Sequence, residues 1–163
     1  MIVTKEDRMS CSVHLSEDGR SVVILDQRQL PNRELYLELN TVGALCEAIR
    51  SLAVRGAPAI GICAGYGMYV LALREQTQDG AALLTALERA GETLISSRPT
   101  AVNLAWAVRR MLAAARGEAA NGIGSFSIDV DVFQAARAKR EPLFALFTVH
   151  IETISPPERF FNR

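Results

Sequence analysis

VRGAPAIGICAGYG, residues 54–67, is the stretch on which the reading of this chain turns. One arginine stands before a turn-forming Gly56-Ala57-Pro58, and the run from Ala57 to Leu73 then carries no charge. That run is at the short limit for a membrane span and contains Pro58, Gly61, Gly65 and Gly67, so it reads as a buried helix of a water-soluble domain. Pro58 suits the first turn of such a helix, where its missing N–H is not needed. Gly61 and Gly65 fall on one helical face, where the absence of side chains lets another helix pack near.

The elements around this helix follow from changes in hydrophobic period. Upstream, CSVHL (11–15) and SVVILD (21–26) are β-rich runs separated by SEDGR, whose Asp-Gly suits a tight turn, so residues 11–26 read as a hairpin. LYLEL (35–39) alternates apolar with polar and adds a third strand after the break at Pro31-Asn32. From Thr41, a fitting N-cap, Val42, Leu45, Ile49 and Leu52 recur at helical spacing. Leu83, Leu87 and Leu94 mark a further helix, which Pro99 stops near Ser97. After Thr100, another expected cap, Leu104, Val108, Met111 and Ala115 line one face of a helix that Gly117 is expected to close. No repeat or low-complexity segment interrupts this order. The sequence therefore predicts an α+β fold: a small N-terminal antiparallel sheet within about 10–40, a helical bundle within about 41–117, and a separate tail over 118–163.

Composition narrows the function classes. Lysine plus arginine equals aspartate plus glutamate at 18 each, so no global field draws in nucleic acid or an acidic membrane, and any anion must be held locally. The three cysteines, Cys11, Cys46 and Cys63, are odd in number and lack paired spacing, which points to a reducing compartment. MIVTKEDRMS at the start has no apolar signal core, so a cytoplasmic location is expected. All three cysteines read as small core or surface groups and not as nucleophiles.

An anion site can be sketched at the opening stretch. A helix beginning at Pro58 aims the backbone N–H groups of Gly56 and Ala57 and the positive end of its dipole into one small volume. Gly56 allows close approach, and Arg55 can add a two-pronged contact to a phosphate. The residues alone leave this reading level with a plainer one, a capped buried helix with a solvated arginine. SSRPTAVNLAWAVRRM, residues 96–111, repeats the arrangement, with Arg98 before Pro99 and a helix start. If the two helices pack side by side in the same sense, Arg55 and Arg98 can face one ligand. The plainer alternatives are a salt bridge or a carbonyl contact for Arg98 and core packing for Trp106.

LDQRQLP (25–31), VRGAPAIG (54–61) and SRPTAVNLAWAVRRM (97–111), in this order, resemble the N-terminal part of the methylthioribose-1-phosphate isomerase family. That family also includes regulatory subunits of the translation factor eIF2B and ribose-1,5-bisphosphate isomerases. The resemblance covers roughly residues 20–115. It implies that Arg55, Gly56, Ala57 and Arg98 match positions that hold the sugar phosphate, which favours the anion reading. It also implies an aldose-to-ketose isomerisation in methionine salvage, with no cofactor.

The family's second, Rossmann-like domain supplies a cysteine in a Thr-His-Cys-Asn context and an aspartate in a Gly-Ala-Asp-Arg context. Neither context occurs in these 163 residues. No catalytic residue is assigned; Asp129 and Asp131 lie in another setting, and His150 with Glu152 lacks a third ligand for a metal. The expectation is an isomerase-like protein, truncated and weak or inactive alone. Its expected partners are a small sugar phosphate and further copies of itself, with no nucleic acid and no membrane. The alternative is a non-catalytic sugar-phosphate-binding or assembly module resembling the regulatory eIF2B subunits.

Overall fold

The computed structural model describes residues 12–120 apart from Gln76 and Gln78. Cys11, Asp129, Asp131, His150, Glu152 and the proposed tail beyond Ala120 lie outside the described residues, and residues 118–120 of that tail continue the last helix.

Three short strands open the fold: β1 (Val13–Leu15), β2 (Val22–Leu25) and β3 (Tyr36–Leu39), in the order β1-β2-β3 and antiparallel throughout. Val13 pairs with Ile24, and Val22 with Leu39. The register therefore puts Val13, Val22, Ile24 and Leu39, all buried, on the sheet face that meets the helices. Between β1 and β2, Gly19 takes φ 69 and donates its N–H to the Ser16 carbonyl, while the Asp18 carboxylate accepts from the Ser16 hydroxyl. This is the tight turn that SEDGR encodes.

Four helices follow: α1 (Val42–Arg50), α2 (Ala57–Arg74), α3 (Gly80–Ser97) and α4 (Val102–Ala120). The Thr41 hydroxyl accepts from the Ala44 N–H at 3.2 Å and the Asp79 carboxylate from the Ala81 N–H at 3.0 Å, so α1 and α3 are capped by short polar side chains. Three details depart from the sequence reading. Leu52 is not part of the α1 stripe: the helix ends at Arg50, and Leu52 sits beyond it in the left-handed region at φ 62, 39% exposed. Thr100 is not the cap of α4, because the Ala101 N–H bonds the Arg98 carbonyl in a turn and the Ala101 carbonyl then opens the helix. Gly117 does not close α4, which runs on to Ala120.

α2 is the central element. It is long and apolar enough by composition to cross a membrane, yet Ile60, Cys63, Ala64, Tyr66, Met68 and Val70 are all buried within the domain. β1 and β2 cover one side of it, and α1, α3 and α4 the others, with α4 contributing most. The α4 stripe of Leu104, Val108, Met111 and Ala115 is buried against it, as the period predicted. At about 1.5–3 kcal/mol per fully buried aliphatic side chain, this shared interior is the main stabilising term.

Glycines set how closely the helices approach. A Cβ at Gly61 would stand 3.3 Å from the Asn103 carbonyl oxygen of α4. A Cβ at Gly91 of α3 would stand 2.7 Å from Val108 and 3.7 Å from Met68. Going from Gly61 to Met68 along α2 thus corresponds to going from Asn103 to Val108 along α4, so these two helices run in the same sense. α3 runs the opposite way: Gly91 meets Val108 and Leu112, while Glu88, one turn earlier, pairs with Arg116 at 2.7 Å.

Candidate functional site

The start of α2 is built from a constrained turn. Arg50 ends α1, Ser51 caps it, and Leu52 and Gly56 both take positive φ, at 62 and 85. The intervening Ala53 and Val54 are buried at 0% and 1% exposure, and the Val54 N–H bonds the Ala48 carbonyl. Gly56 is the N-cap of α2: its carbonyl accepts from Ile60, and with ψ 135 its backbone lies where a side chain is strained. Pro58 occupies the first turn, as its fixed φ allows. The first amides of the helix, having no intrahelical carbonyl, face outward from this end.

Arg55, Gly56 and Ala57 are all exposed. The Arg55 Nε donates to the Leu52 carbonyl at 3.2 Å, a bond that leaves the two terminal nitrogens uninvolved. This contact steadies both the guanidinium and the left-handed Leu52. Arg98 is half-buried and caps α3; its N–H bonds the Ile95 carbonyl and its own carbonyl receives the Ala101 N–H. Among the described residues neither arginine side chain enters an ion pair.

Because Gly61 touches Asn103 and α2 and α4 run in the same sense, the two helix starts lie side by side, within about one turn of each other along the axis. The condition on which the sequence argument depended is thereby met for the elements that carry Arg55 and Arg98. Two helix N-termini that start side by side make a setting that favours an anion. Trp106, further along α4, packs against the core, and the Arg110 guanidinium lies 5.8 Å from its ring centroid.

A different concavity, an open groove of about 470 Å³, lies between α1, the end of α2 and α3, lined by Val42, Leu71, Arg74, Leu87, Arg89 and Thr93 among others. It belongs to the opposite end of α2 from Gly56, about 27 Å away by helical rise.

The described cysteines are in no position to act as nucleophiles. Cys63 is fully buried and its thiol is pushed up to about 12 by loss of hydration. Cys46 is raised by burial too, and its Sγ donates to the Thr93 carbonyl at 3.6 Å.

The LDQRQLP segment has a use that its sequence did not disclose. Asp26 is 1% exposed, and its carboxylate receives Arg28 Nε at 2.8 Å and Arg28 NH2 at 2.7 Å. Hydrogen bonding from Arg28 holds its carboxyl below the usual range, against the opposing effect of burial. An aspartate placed two residues before an arginine, directly after an apolar strand, is the signal that was there to be read.

The family model for the Initiation factor 2 subunit family matches residues 53–137, just over half of the chain. A methylthioribose-1-phosphate isomerase of Thioalkalivibrio sulfidiphilus is 46% identical over 123 residues, which is 76% of this chain and 33% of that protein. Among solved structures, the delta subunit of translation initiation factor eIF-2B from A. fulgidus matches with a TM-score of 0.60 and 36% identity, over 65% of this chain and 30% of that one. The 5-methylthioribose 1-phosphate isomerase of Pyrococcus horikoshii matches with a TM-score of 0.57 and 29% identity, over 83% and 32%. The chain thus spans about a third of the length of the relatives it matches.

Proposed function

The chain belongs to the Initiation factor 2 subunit family, and on that premise we infer that the adjoining starts of α2 and α4 form the phosphate-holding part of a methylthioribose-1-phosphate isomerase-like site. The observation that supports this reading is the Gly61–Asn103 approach, which brings together the helix starts that follow Arg55 and Arg98. Arg55 and Arg98 neutralise the phosphate, and the amides of Gly56 and Ala57 donate to its oxygens. The ligand class is a small sugar phosphate, the reaction of the assembled site is an aldose-to-ketose isomerisation, and the setting is cytoplasmic.

The described residues provide binding and positioning but no acid–base pair. We therefore expect these 163 residues by themselves to hold the sugar phosphate without converting it, since arginines that position a phosphate cannot move protons between carbons. A coupled assay on methylthioribose 1-phosphate, with a full-length isomerase beside it, measures this; turnover comparable to the control excludes it. Residues 1–117 are proposed as the isomerase-like unit and 118–163 as a divergent segment, and the chain is proposed to self-associate.

The structural likeness to an eIF-2B delta subunit favours a second reading, a sugar-phosphate-binding or assembly module without catalysis. Titration with ribose 5-phosphate followed by amide chemical shifts tests what both share: the Gly56 and Ala57 signals move if the phosphate sits there. Static amides at those positions remove the site from either reading. Turnover by a longer form of the chain decides between the two.

A further inference from the structure

The LDQRQLP segment packs against the turn that presents Arg55, and the contact runs through backbone atoms. The Asp26 Oδ1 accepts the Arg28 N–H at 3.1 Å, closing an Asx turn around Gln27, and the same carboxylate grips the Arg28 guanidinium through two contacts. The Asp26 N–H is tied to the Leu35 carbonyl at 2.8 Å, which fixes the turn to the approach of β3. With both of its neighbours held, Gln27 has little freedom, and its N–H donates to the Ala53 carbonyl at 3.0 Å. Ala53 is the fully buried residue between the left-handed Leu52 and Val54, two positions before Arg55.

We propose that the Asp26–Arg28 pair is a positioning device for the 52–56 turn: by locking the Asx turn it aims the Gln27 N–H at the Ala53 carbonyl and so sets where Arg55 and Gly56 stand. The strained Leu52 needs such a tie, because a branched side chain at positive φ persists only when its surroundings fix it. Neither Asp26 nor Arg28 touches the ligand in this account; they act through the backbone. The consequence for binding depends on the phosphate-holding role proposed above, whereas the consequence for the turn does not.

The test uses the full chain, in three forms: Asp26→Asn, Arg28→Gln and, as a control that breaks an exposed ion pair elsewhere, Glu88→Gln. Amide hydrogen exchange without ligand is the first readout. Arg28→Gln is expected to lower protection of the Gln27 amide by about tenfold or more, the scale of a lost charge-assisted bond, and to shift the Arg55 and Gly56 amides, while the Val108 amide in the core keeps its protection. Titration with inorganic phosphate is the second readout, and affinity is expected to fall several-fold in Arg28→Gln and to stay level in Glu88→Gln. Retained Gln27 protection with unmoved Arg55 and Gly56 signals overturns the proposal, as does a uniform loss of protection that includes Val108, which marks a merely structural pair. If Gln27 opens and Gly56 moves but the unaltered chain ignores phosphate, the latch stands and the phosphate reading fails. Should Arg28→Gln not fold, because the buried Asp26 carboxylate has then lost its cation, Asp26→Asn carries the test, since the Arg28 side chain it leaves behind is 39% exposed and its charge keeps water.

Discussion

Gly61 and Asn103 meet backbone to backbone: a Cβ on Gly61 would stand 3.3 Å from the Asn103 carbonyl oxygen and 3.4 Å from its Cβ. A rigid backbone atom cannot give way as a flexible side-chain tip can. Gly61→Val should therefore push α2 and α4 apart at their first turns and cost about 1–3 kcal/mol as overpacking. It should also weaken phosphate binding by separating the Arg55 and Arg98 turns. Thermal melts and phosphate titration on one sample measure both. An unchanged melting temperature would show that the helix starts are not in contact.

Gly56 gives a contrasting case. A Cβ there meets nothing within 4 Å, so space is not the obstacle; φ 85 with ψ 135 is. Gly56→Ala should cost about 1–3 kcal/mol or rotate the turn into an ordinary conformation. Where the turn rotates, the amides of residues 56 and 57 no longer aim as they do. Backbone shifts of the variant report the rotation directly, and a variant with native shifts and native stability would show that the left-handed turn is not required.

The order of strands and helices was legible because the apolar positions of most elements keep one period, from the alternation in LYLEL to the Leu104–Val108–Met111 stripe, and because the central helix is an uncharged run. The misplaced details share a physical cause. Leu52 satisfies the helical spacing of α1 but is carried out of it by a left-handed backbone that tertiary contacts impose, and spacing cannot see a φ value. Thr100 has the chemistry of a cap, yet the Arg98–Ala101 turn after Pro99 delays the helix by one residue. Arg55 and Arg98 were legible as a pair of similar turns, while the side-by-side packing of α2 and α4 in the same sense was not. The role of Asp26 was hidden because its partners, Arg28 and through Gln27 the distant Ala53, combine a local turn with a long-range contact.

Acid should act through Asp26. Its carboxyl is lowered chiefly by the hydrogen bond from Arg28, so the pair's contribution to stability is fully present above the unfolded carboxylate value of about 4. It is lost as pH falls below that through the folded value. Arg28 also feels the weaker attraction of Glu47. Chemical denaturation between about pH 6 and pH 2 should show a loss of stability that is smaller in Asp26→Asn, since that variant has no carboxyl there to titrate. Parallel losses in both proteins would place the acid sensitivity elsewhere.

Arg55 and Arg98 supply the sharpest test of the shared site. Each is expected to contribute a charge-assisted contact of about 1.5–3 kcal/mol, reduced by solvent because Arg55 is exposed and Arg98 only half-buried. With the ligand held on one open face, binding of ribose 5-phosphate should be weak, on the order of millimolar. Arg55→Ala and Arg98→Ala should each weaken it. The double variant should lose less than the sum of the single losses, because both cations act on one ion and the second removal finds the phosphate already loosened. Arg109, exposed and about two turns into α4, is the control, and Arg109→Ala should matter little. Arg110 serves less well, since it lies over Trp106 and its removal disturbs packing. Chemical-shift titration follows all of these forms under one set of conditions. Strict additivity of the two losses would mean that the arginines hold separate ions, and equal harm from Arg109→Ala would reduce the effect to general electrostatics and leave the start of α2 as a well-capped core helix.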